Sequence, residues 1–446
     1  MKKIDKRLAL ILLFGLFLRI ISLNQSLWLD EGVTAKVVRT YGLLEIPEKF
    51  SVFDFHPPLY YFFLKIWTAV FGSSEAALRL PSVIFSLLAA IVVYRIGCRL
   101  KNRQVGLWSS LLFLLNPLIV YYSQEARMYM MAVFFLTASL YFFVGIVNRE
   151  KRPTDNLGFI LFSFLGMMTF YGSAFLIVSC LGYLLVKRRW KESGFASLGL
   201  ITSLILLSPL LRVQVLNAKT SLGAVLYWKN VLGGINMKNL LLISLKFVTG
   251  RISFAPKILY YIVSAFSVLV IVPTVWNGIR KKFFLGFLFF APIALAIIFS
   301  FFSPLLQYFR FLYLLPVLSL LIAIGGAKKE HRVLAAFIFT AYTLTYLLRP
   351  NFHRENWKAL TRRLPSNTKI YMILPSADVL NYYAPRQRTA ELRTIEKATY
   401  EKIIYIVPYT AEIYGNDYAK ILRQNGYIRA QVIGERGVSL ERWEKL

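Results

Sequence analysis

The feature that most constrains this chain is a succession of apolar runs separated by short polar joints. A helix needs about 20 apolar residues to cross the hydrocarbon core of a bilayer. Runs close to that length lie at Leu8–Leu23, Leu80–Cys98, Val105–Tyr121, Met128–Val147, Leu157–Phe170, Ser173–Val186, Phe195–Leu211, Ile258–Trp276, Phe283–Phe302, Phe311–Gly325 and Val333–Leu348. The runs are continuous rather than alternating, which excludes a membrane β-barrel. The expected fold class is therefore a polytopic α-helical membrane protein of about eleven spans.

The charges then give the orientation. Formal net charge is +31, a value that in a soluble protein points to nucleic acid. Here the positive residues gather in alternate joints, at Met1–Arg7, Arg95–Gln104, Asn148–Asn156, Lys187–Lys191, Arg280–Lys282 and Lys328–Arg332. That is the pattern of cytoplasmic loops, so no nucleic-acid partner is expected, and contact with anionic membrane lipids is. The intervening joints, Asn24–Arg79, Tyr122–Arg127, Tyr171–Gly172, Arg212–Lys257 and Ser303–Arg310, fall outside. A plasma-membrane protein with a cytoplasmic N-terminus follows. The basic start and first apolar run resemble a signal peptide, but no small-residue cleavage site follows and Arg19 interrupts the run. An uncleaved first span is expected.

Residues 1–348 form the membrane domain, with long outer loops at 24–79 and 212–257. Tyr60–Val70 and Asn239–Val248 within them read as interfacial helices too short to span. From about Arg349 the pattern changes to short β-rich runs, Lys369–Leu374, Lys402–Val407 and Tyr427–Gly434, with helix-like stretches between them. Residues 349–446 are expected to form a small extracytoplasmic α/β domain with a mostly parallel sheet. The two cysteines, Cys98 and Cys180, lie at an inner helix end and within a helix, so no disulfide is expected in that domain.

Ionisable residues held at a membrane interface are costly and mark function. Asp30 and Glu31 follow the first span among apolar neighbours, and either carboxylate could serve as general base for an acceptor hydroxyl or amine. The bland alternative is a solvated pair at a helix end. His56 precedes Pro57-Pro58 beside Asp54, a pattern that equally suits a helix start. Glu125 and Arg127 lie in a joint of six residues that cannot leave the membrane surface, although an ion pair capping a helix has the same sequence. Tyr308 and Arg310 open the tenth span, where an arginine either snorkels to headgroups or pairs with phosphate. For Lys65 and Arg79 snorkelling is the better expectation. The chain has no phosphate-binding glycine loop and no HExxH motif, so a nucleotide donor is not indicated.

The stretches LWLDEGVTA, DFHPPLYYFFLKIWTAVFGSSEAALRLPSVIFSLL and NPLIVYYSQEARMYMM together resemble the GT-C fold glycosyltransferases. The resemblance is to the branch that includes the protein O-mannosyltransferases and the aminoarabinose transferases, and covers roughly residues 8–350. It implies a sugar donor carried on polyprenyl (dolichyl) phosphate and an acceptor that is protein, lipid or glycan. It implies Asp30 as catalytic base with Glu31 beside it. It implies His56, Glu125, Arg127, Tyr129, Tyr308 and Arg310 as substrate-binding residues, with Arg310 and His56 on the lipid phosphate. One departure stands out: the aminoarabinose branch carries Lys where this chain has His56, so a donor of different charge or sugar is implied. Some superfamily members use a divalent metal. Asp30, Glu31, Asp54, His56 and Glu125 offer oxygen and nitrogen donors but no diagnostic spacing, so metal use stays open. Rival readings are a polysaccharide polymerase or ligase, and a lipid-linked sugar flippase. A flippase would place its ionisable groups near the midplane, within inverted repeats that this chain lacks.

Overall fold

The computed structural model describes residues 5–148, 150, 152–224, 232–326 and 328–446. The remaining positions, which fall partly in the Met1–Arg7, Asn148–Asn156 and Arg212–Lys257 joints, lie outside the described residues. Each expected apolar run coincides with helix. Six helices are long and apolar enough to cross a membrane among the described residues: Glu75–Leu100, Tyr129–Val147, Trp190–Ala218, Lys257–Lys281, Tyr308–Gly325 and Lys329–Leu348. The bent pair Arg103–Leu115 and Pro117–Ser123 makes a seventh if taken as one span.

That bend corrects the straight span expected at Val105–Tyr121. The two helices meet at 62°. Asn116 causes the break: its backbone is extended, its Oδ1 accepts from the N–H groups of Leu118 and Ile119, and Pro117 takes the first position of the next helix. Proline lacks the N–H that a continuing helix would use and is preset for a helix start. The side-chain amide of Asn116 also donates to Phe247 O at 2.8 Å, which ties the bend to the short helix Met237–Thr249. Leu157–Phe170 and Ser173–Val186 are two helices, Pro153–Thr169 and Ser173–Val186, parted by a turn. The short helices expected at Tyr60–Val70 and Asn239–Val248 appear as Leu59–Phe71 and Met237–Thr249.

Arg19 does not end the first helix, Lys6–Ile20. It is fully buried, with Nε donating to Ser86 Oγ at 2.7 Å and Nη1 to Gly15 O at 2.8 Å. A buried guanidinium is tolerated where its donors are met in this way.

After Leu348 the chain folds into a five-stranded sheet of order β2-β1-β3-β5-β4. The strands are β1 (Ile370–Met372), β2 (Thr389–Glu391), β3 (Ile403–Ile406), β4 (Tyr427–Glu435) and β5 (Val438–Lys445). β1 pairs in parallel with β2 and β3, whereas β5 runs antiparallel to both β3 and β4. The sheet is thus mixed, not mostly parallel. The β4–β5 hairpin turns through Gly437 at φ +74°, a conformation open to glycine without strain.

This sheet region shares its core with the helices. Trp357, Met372, Val379, Leu380 and Leu440 belong to the same buried cluster as Leu27, Leu78 and Leu118. Helix Asp378–Tyr383 lies across helix Leu29–Thr40 so closely that a Cβ on Gly32 would come within 2.6 Å of the Val379 backbone. Polar contacts surround that seam. Tyr383 Oη accepts from Leu27 N–H at 2.8 Å, and Lys36 pairs with Asp378 at 2.9 Å.

Candidate functional site

Asp30 and Glu31 occupy the first turn of helix Leu29–Thr40, and the structure gives them different tasks. Glu31 is fully buried. Arg79, equally buried, grips it with Nε at 2.8 Å from Oε1 and Nη2 at 2.5 Å from Oε2. The Ala126 N–H adds a bond to Oε1 at 2.8 Å, and the Trp28 N–H reaches Oε2 at 3.4 Å. Burial works to raise the Glu31 pKa, yet the charges of Arg79 and Arg354 and these hydrogen bonds outweigh it and hold the carboxyl below its ordinary value. Arg79 spends its other donors on Leu23 O, Gln25 O and Ser26 O, at 2.8, 2.6 and 2.9 Å. The snorkelling expected for Arg79 is therefore wrong: it enters the core because four acceptors await it there. Lys65 also turns inward, donating to Val38 O at 2.8 Å.

Asp30 is the member of the pair that stays accessible, with 36% of its side chain exposed. Its carboxylate faces Arg127, whose Nη2 lies 3.8 Å away. Arg127 is buried and its Nη1 donates to Tyr61 Oη at 3.1 Å. Tyr61 in turn donates to Asp54 Oδ2 at 3.0 Å, and Asp54 Oδ1 meets His56 Nδ1 at 3.0 Å. A continuous polar chain therefore runs from Asp30 through Arg127, Tyr61 and Asp54 to His56. Burial pushes Asp54 up, but His56, Arg127 and the Tyr61 hydroxyl hold it below its ordinary value. Gln214, from helix Leu198–Ala224, fixes this loop by donating to Ser51 O and Asp54 O at 2.6 and 2.5 Å.

The aromatic wall begins at His56, whose ring stacks on Phe170 with centroids 6.4 Å apart. Phe170 contacts Tyr129, and Tyr129 packs against Tyr122 at 5.2 Å and Phe309 at 5.7 Å. Phe309 lies between Tyr308 and Arg310 in the 3-10 turn Tyr308–Leu314. Arg310 donates to Pro304 O at 3.0 Å, and its guanidinium is an electrostatic neighbour of the Tyr129 hydroxyl. The eight residues singled out from the sequence thus converge on one locality.

Glu125 completes the polar floor. It is 1% exposed and pairs with Arg354 Nη2 at 3.1 Å, while its Oε1 has no hydrogen-bond partner among the described residues. Burial dominates here. Despite Arg354, and helped by the nearby negative charge of Glu31, the Glu125 pKa is pushed up to about 7.

Several of these residues were not legible in the sequence. Arg354 comes from the segment that follows helix Lys329–Leu348, and its guanidinium lies 4.2 Å from the Tyr121 ring centre. Arg251 lies 5.1 Å from the same ring and is exposed. Tyr61 and Gln214 gave no signal beyond being polar groups near apolar runs. Among the described residues, no three His, Cys, Asp or Glu side chains gather as metal ligands, and Asp54 and His56 are engaged with each other.

Residues 55–212 match the family model described as dolichyl-phosphate-mannose-protein mannosyltransferase. A stretch of 212 residues is 27% identical to the undecaprenyl phosphate-alpha-4-amino-4-deoxy-L-arabinose arabinosyl transferase of Pseudomonas aeruginosa, covering 45% of this chain and 39% of that protein. The Erwinia tasmaniensis protein of the same name is 28% identical over 214 residues, 44% of this chain and 39% of that protein. The matched stretch thus spans well under half the length of these relatives. Among solved structures, ArnT from Cupriavidus metallidurans bound to undecaprenyl phosphate superposes with a TM-score of 0.61 at 13% identity, over 97% of both chains. The Archaeoglobus fulgidus oligosaccharyltransferase tethered to an acceptor peptide gives 0.55 at 13% identity, over 96% of this chain and 72% of that one. The fold is the one that these solved structures share. The likeness to the mannosyltransferase and aminoarabinose transferase branch, expected from the motifs, appears again in these matches as a similarity over part of the chain.

Proposed function

We propose that the chain is an integral membrane glycosyltransferase that moves a sugar from a polyprenyl-phosphate donor to an acceptor at the outer membrane face. One observation carries this reading: an accessible carboxylate, Asp30, faces a buried guanidinium, Arg127, at 3.8 Å, beside an aromatic wall that ends in Arg310 and near the exposed Arg251. Cations gathered in one locality suit a group that gains negative charge as it leaves. The names of the relatives, and the undecaprenyl phosphate held by the ArnT neighbour, support a lipid-phosphate donor.

In this reading the acceptor hydroxyl or amine gives its proton to Asp30 and attacks the anomeric carbon of the sugar. The bond from that carbon to the phosphate oxygen breaks, the glycosidic bond forms, and polyprenyl phosphate leaves with the electron pair. Arg310, His56 and Arg251 hold the phosphate, while Tyr129 and Tyr308 line the sugar and lipid path. Glu31 touches no reacting atom; through Arg79 it fixes the turn that presents Asp30. Glu125 and Arg127 form the floor. No step here runs through a metal. The positive-inside pattern supports about eleven spans, a cytoplasmic N-terminus, a boundary near Leu348 and an extracytoplasmic C-terminal domain. The acceptor is a protein, lipid or glycan.

The test is incubation of the purified protein with a panel of undecaprenyl- and dolichyl-phosphate sugars, reading release of the lipid phosphate, with Asp30→Asn as control. Release by the native protein and not by the variant supports both the donor class and the base. Equal release from both removes Asp30 from the chemistry, and no release with any donor refutes the reading.

A further inference from the structure

We propose that Arg354 is a positioning residue through which the C-terminal domain sets the alignment of Arg127 with Asp30. The inference rests on the proposed sugar transfer, because the alignment it controls is that of the proposed base.

The backbone of Arg354 belongs to the C-terminal domain. Its carbonyl accepts from Arg436 Nε at 2.7 Å, and the Arg436 carbonyl accepts from Asn356 N–H at 2.8 Å. Arg436 lies in the tight β4–β5 hairpin, where Glu355 packs on Gly437. The side chain leaves the domain entirely. It is 1% exposed and inserts between elements of the membrane domain. There Nη2 donates to Glu125 at 3.1 Å and to Tyr121 O at 3.2 Å, and Nε lies 3.8 Å from Glu31.

These contacts bracket the joint between helices Pro117–Ser123 and Tyr129–Val147. Arg354 holds the end of the first helix through Tyr121 O and the start of the joint through Glu125. Glu31 holds its middle through Ala126 N–H, and Ser82 Oγ holds Glu125 O at 2.6 Å. The next residue is Arg127, the partner of Asp30. Two carboxylates from different elements share the charge of Arg354. Its loss would leave both buried with less compensation and release the joint that carries Arg127. Nε and Nη1 of Arg354 have no hydrogen-bond partner among the described residues, so its hold is by charge and by Nη2. Displacements near 1 Å are enough to cost about a hundredfold in rate.

The test uses the full chain and four variants, Arg436→Gln, Arg354→Gln, Glu125→Gln and Glu125→Gln/Arg354→Gln, with release of polyprenyl phosphate and thermal midpoint measured side by side. Arg436 touches neither Asp30 nor Arg127, so Arg436→Gln tests the link at a distance. It should lower kcat by about tenfold with donor KM and thermal midpoint nearly unchanged, and Arg354→Gln by about a hundredfold. The double variant should lose less than the sum of its single losses, because it removes the stranded charge. Native kcat in Arg436→Gln, or losses in Arg354→Gln that follow the thermal midpoint alone, would overturn the proposal. If the native protein releases no lipid phosphate from any donor, the function reading fails. The thermal double-variant cycle then decides this one: strict additivity between positions 354 and 125 refutes it, and coupling upholds the link.

Discussion

Replacing Glu125 by glutamine should change how stability depends on pH. The Glu125 carboxyl is pushed from an ordinary 4.5 up to about 7 in the folded protein, because burial outweighs the attraction of Arg354. In the unfolded chain it reverts to its ordinary value. Between these two values the folded state holds a proton that the unfolded state has lost, so stability falls as pH rises through that window and levels off above it. At 1.36 kcal/mol per unit the full penalty is about 3 kcal/mol. It is relieved as pH falls below 7 and absent below 4.5. Glutamine keeps the size and removes the titration. Denaturation of the purified protein in detergent micelles, followed by tryptophan fluorescence from pH 5 to pH 8.5, reads the effect. The native protein should lose about 2.5 kcal/mol more across that range than Glu125→Gln does, since part of the full penalty already lies below pH 5. Other titrating groups are common to both proteins and cancel in the difference. Parallel stability curves would show that Glu125 is not the buried, proton-holding group described here.

Three further outcomes are expected. Asp30→Asn should cut release of polyprenyl phosphate by about a hundredfold or more with donor KM little changed, as loss of a general base does; a variant that loses affinity instead would make Asp30 a binding residue. Arg79→Met should cost about 3–5 kcal/mol because it strands the buried Glu31, and adding Glu31→Gln should recover part of that, by the same denaturation assay. Gly32→Ala places a methyl group 2.6 Å from the Val379 backbone, so it should loosen the packing of helix Asp378–Tyr383 and speed protease cleavage around it; unchanged cleavage would mean the seam yields without opening.

The helices were legible because a bilayer imposes one length and one polarity on every segment that crosses it. The run from Met128 to Val147 became the helix Tyr129–Val147 almost residue for residue. The break at Asn116 was present as an Asn-Pro pair, but an apolar run on both sides hid it. The sheet was legible only where strands are apolar. β5, with Glu441, Arg442, Glu444 and Lys445 at alternating depth, reads as a charged tail until its pairing with β3 and β4 is known. The site residues stood out where charge lay inside apolar sequence, as at Asp30, Glu31, Glu125 and Arg127. What the sequence could not divide was the labour between Asp30 and Glu31, since both carry the same charge one residue apart. Only the position of Arg79, 48 residues on, separates the anchored one from the accessible one. Arg354 was invisible for a related reason: among 17 Lys and Arg after residue 348, nothing local marks the one that turns inward.

The seam between helix Leu29–Thr40 and the C-terminal region also has a consequence for biosynthesis. The acidic turn of Asp30 and Glu31 precedes Arg354 and Val379 in the order of synthesis. Until that later segment has been made and has folded, Glu125 and Glu31 lack the Arg354 charge and Gly32 lacks its cover. The chain is therefore timed: the half-made protein holds its acidic turn in an unfinished setting, which closes only when the segment from Arg354 to Val379 arrives.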